Sequence, residues 1–234
     1  MALILMLETS TDVCSAALFN EGQLLCYREN SEGRSHASTL AVFIDEILKE
    51  VNISPANLSA VAVSKGPGSY TGLRIGVSTA KGICYAQNLP LIAVDSLLAM
   101  TFGAIGALKE REDDIEGMVF CPMIDARRME VYSALYSSRL AVVESVKATI
   151  VDETTFAPIL EKSRVVFFGN GAEKCRSVIL HANAIFLEDN FSSAKNMVLP
   201  SLEAFKSSNF VDSAYFEPFY LKDFVITQSK KKFL

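Results

Sequence analysis

The sequence predicts an α/β protein built as two stacked copies of one ββαβα-type unit, residues 1–108 and 117–234, and three observations predict it. Strand-like and helix-like runs follow the same order in both halves, and the most charged stretch, Lys109 to Gly117 (KEREDDIEG), falls between them. The third is a recurring window: ETSTDVCSAALF begins at Glu8 and DARRMEVYSALY at Asp125, 117 positions later. Each window sets a carboxylate at the end of an apolar strand, then a polar turn, then a small-residue strand closing on Leu and an aromatic. Any two β-hairpins share some of that look, so the window by itself leaves duplication and coincidence both open.

The first unit opens as a three-stranded meander, LILMLET, CSAALF and QLLCYRE, with Gly22 supplying hairpin chemistry in the second gap. Leu40, Phe43, Ile44, Ile47, Leu48 and Val51 recur at helical spacing and predict an amphipathic helix that Ser35 caps. LSAVAVSKG is a short apolar run, hence a buried strand, and it ends in the glycine-rich loop SKGPGSYTGLRIG. A helix from about Gly72 to Asn88 follows, then the strand PLIAV and a helix from Ser96. In the second unit VFCPMIDAR, EVYSALY and AVVESV read as strands. A helix near Thr154 to Lys162, the strand RVVFFGN and a helix from about Ala172 complete it; a C-terminal segment packing back on the first unit is an alternative for its end.

Half the residues are hydrophobic and 21% are charged, the composition of a globular chain able to bury a large core. A net charge of −5 argues against a protein that grips nucleic acid alone across a broad basic face. Only Ser229-Lys230-Lys231-Lys232 is locally basic, as a solubilising end or an RNA contact. Five scattered cysteines among apolar neighbours read as buried thiols of a reducing compartment. MALILMLETS lacks a basic leader and reads as a strand, and no run approaches the roughly 20 apolar residues of a membrane span, so the expected location is the cytoplasm.

The glycine loop is not a Walker motif, because Leu73 and Arg74 follow Gly72 where Lys and Ser/Thr would hold phosphate and magnesium. Nor does Gly66-Pro67-Gly68 meet the dinucleotide spacing. What remains is a tight turn at a helix N-terminus, which either presents amides to an anion or is purely structural. On the helix, Arg74, Ser78, Lys81, Tyr85 and Asn88 form one narrow polar stripe. Gly72, Gly76, Ala80 and Cys84 form a ridge admitting another backbone, and Ile75, Thr79, Ile83 and Ala86 cover a further face. Such a helix is buried on two sides, one against its own sheet and the other against a partner or an internal layer. His36 and His181, the two histidines, lie in distant segments outside any zinc-hydrolase pair, and GxSxG is absent. Glu8 and Asp125 either hold a metal-bound nucleotide between the units or accept from the amides of their own turns.

SKGPGSYTGLRIGVSTAKGICYAQNLPLIAVDSL, with ILMLETSTDVCSAALF, IDARRMEVYSALY and EPFYLK, resembles the signature of the TsaB (YeaZ) family, the Gcp-like group of the actin, hexokinase and Hsp70 ATPase superfamily. The resemblance is weakest from about Thr149 to Asp212. It implies two ribonuclease-H-like domains and a role in making N6-threonylcarbamoyladenosine beside the anticodon of tRNAs that read codons beginning with A. It further implies a non-catalytic subunit pairing with the catalytic paralogue TsaD, joined by the ATPase TsaE and meeting tRNA only in that complex. A homodimer through the same face is expected when the partner is absent. The paralogue's H-x-x-x-H metal motif corresponds here to Ser96 and Met100, and neither a hydroxyl nor a thioether replaces imidazole, so no metal is expected. Glu8 stands where the superfamily's first phosphate motif begins with Asp. Glu8, Gly66, Gly68 and Asp125 are the candidate nucleotide residues, with no cofactor held by this chain alone and ATP or ADP at the junction of the complex. Leu40, Phe43, Ile47, Leu73, Ile75, Thr79 and Ile83 are the expected contacts of a helical bundle with TsaD. The competing readings are a metallo-glycopeptidase or a sugar-kinase-like phosphotransferase acting alone.

Overall fold

The computed structural model describes residues 2–31, 36–189 and 191–222. The chain opens with β1 (Leu3–Glu8), β2 (Cys14–Asn20) and β3 (Gln23–Asn30), each pairing antiparallel with the next. Glu21 and Gly22 turn the second hairpin with φ of 54° and 88°, the left-handed pair a two-residue hairpin loop requires. Helix α1 (His36–Glu50) buries Leu40, Ile44, Ile47 and Leu48 along one stripe; the expected cap Ser35 lies outside the described residues. Strand β4 (Ala60–Gly66) returns parallel to β1. Helix α2 (Tyr70–Gln87) then crosses to β5 (Leu91–Asp95), parallel to β4, and the sheet order is β3-β2-β1-β4-β5.

One face of this sheet, with Leu5, Leu7, Leu18, Val61 and Val63, packs under α1 and α2. The other face carries Ile4, Met6, Ala62, Ile92 and Val94. Both faces being covered, β1 and β4 read as continuous apolar runs rather than alternating ones.

The second half repeats the topology with β6 (Val119–Asp125), β7 (Glu130–Ser137), β8 (Val142–Ile150), β9 (Val165–Phe168) and β10 (Ala184–Phe186), ordered β10-β9-β6-β7-β8. The parallel and antiparallel pairings match strand for strand, so the recurring window reflects a duplicated architecture of two ribonuclease-H-like domains. Helix α3 (Ser96–Glu110) lies between the two sheets: Ala99 faces the first, while Leu97, Met100, Ala104 and Leu108 pack on Phe120, Ile124 and Phe168 of the second.

The second unit departs from expectation in its helices. The helix expected from Thr154 to Lys162 is one turn, α4 (Ala157–Leu160), because Asp152 captures Thr154 N and the hydroxyls of Thr154 and Thr155 and fixes a turn there. The helix expected from Ala172 is a 3-10 turn, Glu173–Cys175. The chain then leaves this domain. Ala194 and Met197 are buried against the first sheet, α5 (Val198–Lys206) lies beside them, and Val211 N donates to Leu91 O at 2.9 Å, bridging β5. All five cysteines are buried free thiols, and burial pushes those of Cys14 and Cys84 up to about 11. Among the described residues no helix is long and apolar enough to cross a membrane.

Candidate functional site

The glycine loop is filled by the chain itself. Gly66, at φ 107° and followed by a cis bond to Pro67, lies so close to the strap after α5 that an added Cβ would sit 2.7 Å from Phe219 O. At Gly68 the Cβ would meet Ser10 O at 2.2 Å, and Ser69 N donates to that same carbonyl at 2.7 Å. Ser69 Oγ caps α2 by accepting from Gly72 N at 3.2 Å. The ridge of small residues on α2 does admit another backbone, and that backbone is Thr9 of the β1–β2 turn, against Gly72.

Glu8 ends β1 and is 1% exposed. Its Oε1 accepts from Ser10 N at 2.5 Å, and burial without a cation beside it raises its pKa, an effect that hydrogen bonds from Ser10, Ser64 and Thr9 oppose. Thr9 Oγ1 is buried beside it without a hydrogen-bond partner among the described residues. Asp125, at the equivalent strand end, is exposed: its Oδ1 accepts from Arg127 N at 2.7 Å and pairs with Lys174. The two equivalent carboxylates therefore occupy opposite environments, one sealed under a turn and one on a solvated surface with a lysine.

Positions 96 and 100 have also become core. Ser96 and Met100 are buried, and Met100 packs against Gly169 and the second sheet. Among the described residues no group of three His, Cys, Asp or Glu side chains could hold a metal ion.

Of the seven expected contact residues, Leu40, Ile47 and Leu73 are fully buried inside the chain's own core. Phe43, Ile75 and Ile83 are half-buried at the rim of that core, and Thr79 is half-buried with its hydroxyl spent on Ile75 O at 2.9 Å. What α1 and α2 turn outward is different. Val42 is 52% exposed and Tyr85 89%. An open groove of about 470 Å³ between the helices is lined by Ala37, Tyr70, Thr71, Arg74, Ile75, Ser78 and Thr79. Val42 was detectable as an apolar residue off the core stripe of its helix, and Tyr85 sits on the polar stripe of α2.

The strap 211–222 borders this face. Lys81 donates to Ala214 O at 3.1 Å and Phe216 O at 3.0 Å, Phe219 N donates to Lys65 O at 2.7 Å, and the Tyr220 ring stands 4.8 Å from that of Tyr70. Tyr70 in turn carries the Arg74 guanidinium, 5.4 Å above its ring, and accepts from Arg74 Nη1 at 3.1 Å. The late EPFYLK run thus serves as a clamp over the glycine loop, a role that no local pattern reveals.

With this geometry in place, residues 30–223 match the family described as TsaD: tRNA N6-adenosine threonylcarbamoyltransferase. The tRNA threonylcarbamoyladenosine biosynthesis protein TsaB of Bacillus subtilis (strain 168) is 31% identical over 167 residues, 70% of this chain and 69% of that protein. That of Escherichia coli (strain K12) is 35% identical, covering 57% of this chain and 54% of its own length. The chain thus spans from about half to about two thirds of these relatives. Among solved structures, YeaZ from Pseudomonas aeruginosa superposes with a TM-score of 0.79 at 25% identity, over 94% of this chain and 100% of that one.

Proposed function

Because the chain belongs to the TsaD family, on the branch of the relatives named TsaB, we propose that it is a subunit of tRNA N6-threonylcarbamoyladenosine synthesis that works by binding and activating its catalytic paralogue TsaD, without catalysing the reaction itself. The observation that carries this reading is the contrast between two surfaces. The end of β1 and the glycine loop, where a catalytic relative would hold its ligands, are packed with the chain's own backbone, while α1 and α2 offer an open groove and carry exposed Val42 and Tyr85. An open groove on a helical face with apolar Ala37 and Ile75 in its lining suits a protein partner.

The superfamily's nucleotide does not fit the first-domain loop of this chain. Phosphate oxygens need open amides, and here the room at Gly66 and Gly68 is taken by Phe219 O and Ser10 O. A metal-bound phosphate also needs an ionised, accessible carboxylate, whereas Glu8 is sealed and its pKa raised. This supports a subunit that holds no nucleotide by itself, leaving ATP or ADP to the junction formed with TsaD and the ATP-hydrolysing step to TsaE.

The test is co-elution with TsaD on size exclusion. The wild-type chain forms a complex, and Val42→Asp and Ile75→Asp abolish it while the circular dichroism of the isolated variants is unchanged. A complex that survives both substitutions places the partner elsewhere.

A further inference from the structure

The β6–β7 turn breaks a local rule. It runs Asp125-Ala126-Arg127-Arg128-Met129-Glu130, and both arginines adopt positive φ, 72° and 50°. Left-handed backbone is disfavoured for a residue with a bulky side chain, whereas Asn and Gly adopt it with less strain. The turn is closed by Ala126 N to Glu130 O and Glu130 N to Arg127 O, both at 3.1 Å, so the conformation is built in.

The charges around it are sorted. Asp125 is paired with Lys174 and Glu130 with Lys222. Arg127 and Arg128 are both exposed, and among the described residues neither guanidinium has a carboxylate within ion-pair distance. Arg127 and Arg128 thus form two adjacent guanidiniums without an ionic partner among the described residues, on a turn of left-handed backbone.

We propose that Arg127 and Arg128 grip the phosphate backbone of the RNA substrate in the assembled complex. The proposal rests on the reading above, that this chain works beside a catalytic paralogue. A guanidinium offers a planar fork of donors that matches phosphate oxygens two at a time, and two in succession suit the repeating phosphates of a nucleic acid strand. An acidic protein surface is the weaker fit, since the half-buried Ala126 and Met129 leave no apolar centre at the tip for a protein interface. The location agrees. Lys222 ties the turn to the strap whose Tyr220 ring stands 4.8 Å from that of Tyr70 on α2, so one segment joins the turn to the α1–α2 face.

The decisive variant is Arg127→Asn with Arg128→Gly, which puts residues that accept left-handed backbone at both positions and removes both charges. Expected are an unchanged or raised melting temperature, intact co-elution with TsaD, a KM for tRNA raised about tenfold at unchanged kcat, and a salt slope of tRNA binding reduced by about two. Arg127→Lys with Arg128→Lys keeps most of that slope. An unchanged KM and salt slope in the Asn-Gly variant overturns the proposal. Lost co-elution also overturns it, showing that the arginines serve the protein partner. Should the wild-type chain fail to bind TsaD, the reading beneath the proposal fails instead, and the wild-type control reports that separately.

Discussion

Gly72 on α2 lies against Thr9 so closely that a Cβ at position 72 would stand 2.1 Å from the Thr9 carbonyl oxygen. The contact decides where α2 sits, because the β1–β2 turn is rigidly joined to the sheet and backbone cannot yield as a side-chain tip can. Gly72→Ala is therefore expected to cost at least ~1–3 kcal/mol, seen as a lower melting temperature and loss of the TsaD complex together. Gly82, on the same helix, has nothing within 4 Å of its missing Cβ. Gly82→Ala should raise stability by about 0.5–1 kcal/mol through helix propensity alone.

Glu8 gives a pH signature. Its folded pKa is raised by burial, so the folded state holds a proton that the unfolded chain has already released. Between the two values stability falls as pH rises. The penalty is absent below the unfolded glutamate value of about 4.3 and grows above it until the folded value is passed. Glu8→Gln removes the titrating group, so the melting temperature of the variant relative to wild type should climb from pH 4 toward pH 8. A difference that stays flat with pH contradicts the burial argument.

Burial separates the helix residues that are open to a partner from those that are not. Leu40 is 1% exposed and Val42 is 52% exposed on the same helix. Leu40→Ala should cost about 2–5 kcal/mol in denaturant unfolding, whether or not TsaD is present. Val42→Asp should stay within about 0.5 kcal/mol of wild type in isolation yet lose the complex.

The strap is held to α2 by a side chain with an alternative in water. Lys81→Ala removes both donors to Ala214 O and Phe216 O. Hydrogen exchange should then rise across residues 211–222 while the amides of β1 and β4 remain protected, since their ladder bonds are untouched.

Much of the architecture was legible because it rests on local signals. The apolar runs of β1, β4 and β6, the helical spacing of Leu40 through Val51 and the window shared by Glu8 and Asp125 all depend on neighbours in sequence. The second unit was misread where local chemistry competes: Asp152 spends Thr154 and Thr155 on a turn, and the helix beyond shrinks to four residues. The candidate face was half legible. Helical periodicity finds Leu40, Ile47 and Leu73 because they are apolar, but only the fold says that all three are buried inside the chain, Leu40 and Ile47 against its own sheet. Phe219 against Gly66 and Lys222 against Glu130 join residues far apart in sequence, and no spacing rule reaches that distance.

The central claim is that the chain acts through its outer helices and not through its carboxylates. It is tested most directly by tRNA threonylcarbamoylation in a system reconstituted from TsaD, TsaE and this protein. The account predicts no product when the chain is omitted or carries Ile75→Asp, and wild-type product with the double variant Glu8→Gln, Asp125→Asn. Loss of product with that double variant while the TsaD complex still forms, or full product with Ile75→Asp, would contradict it.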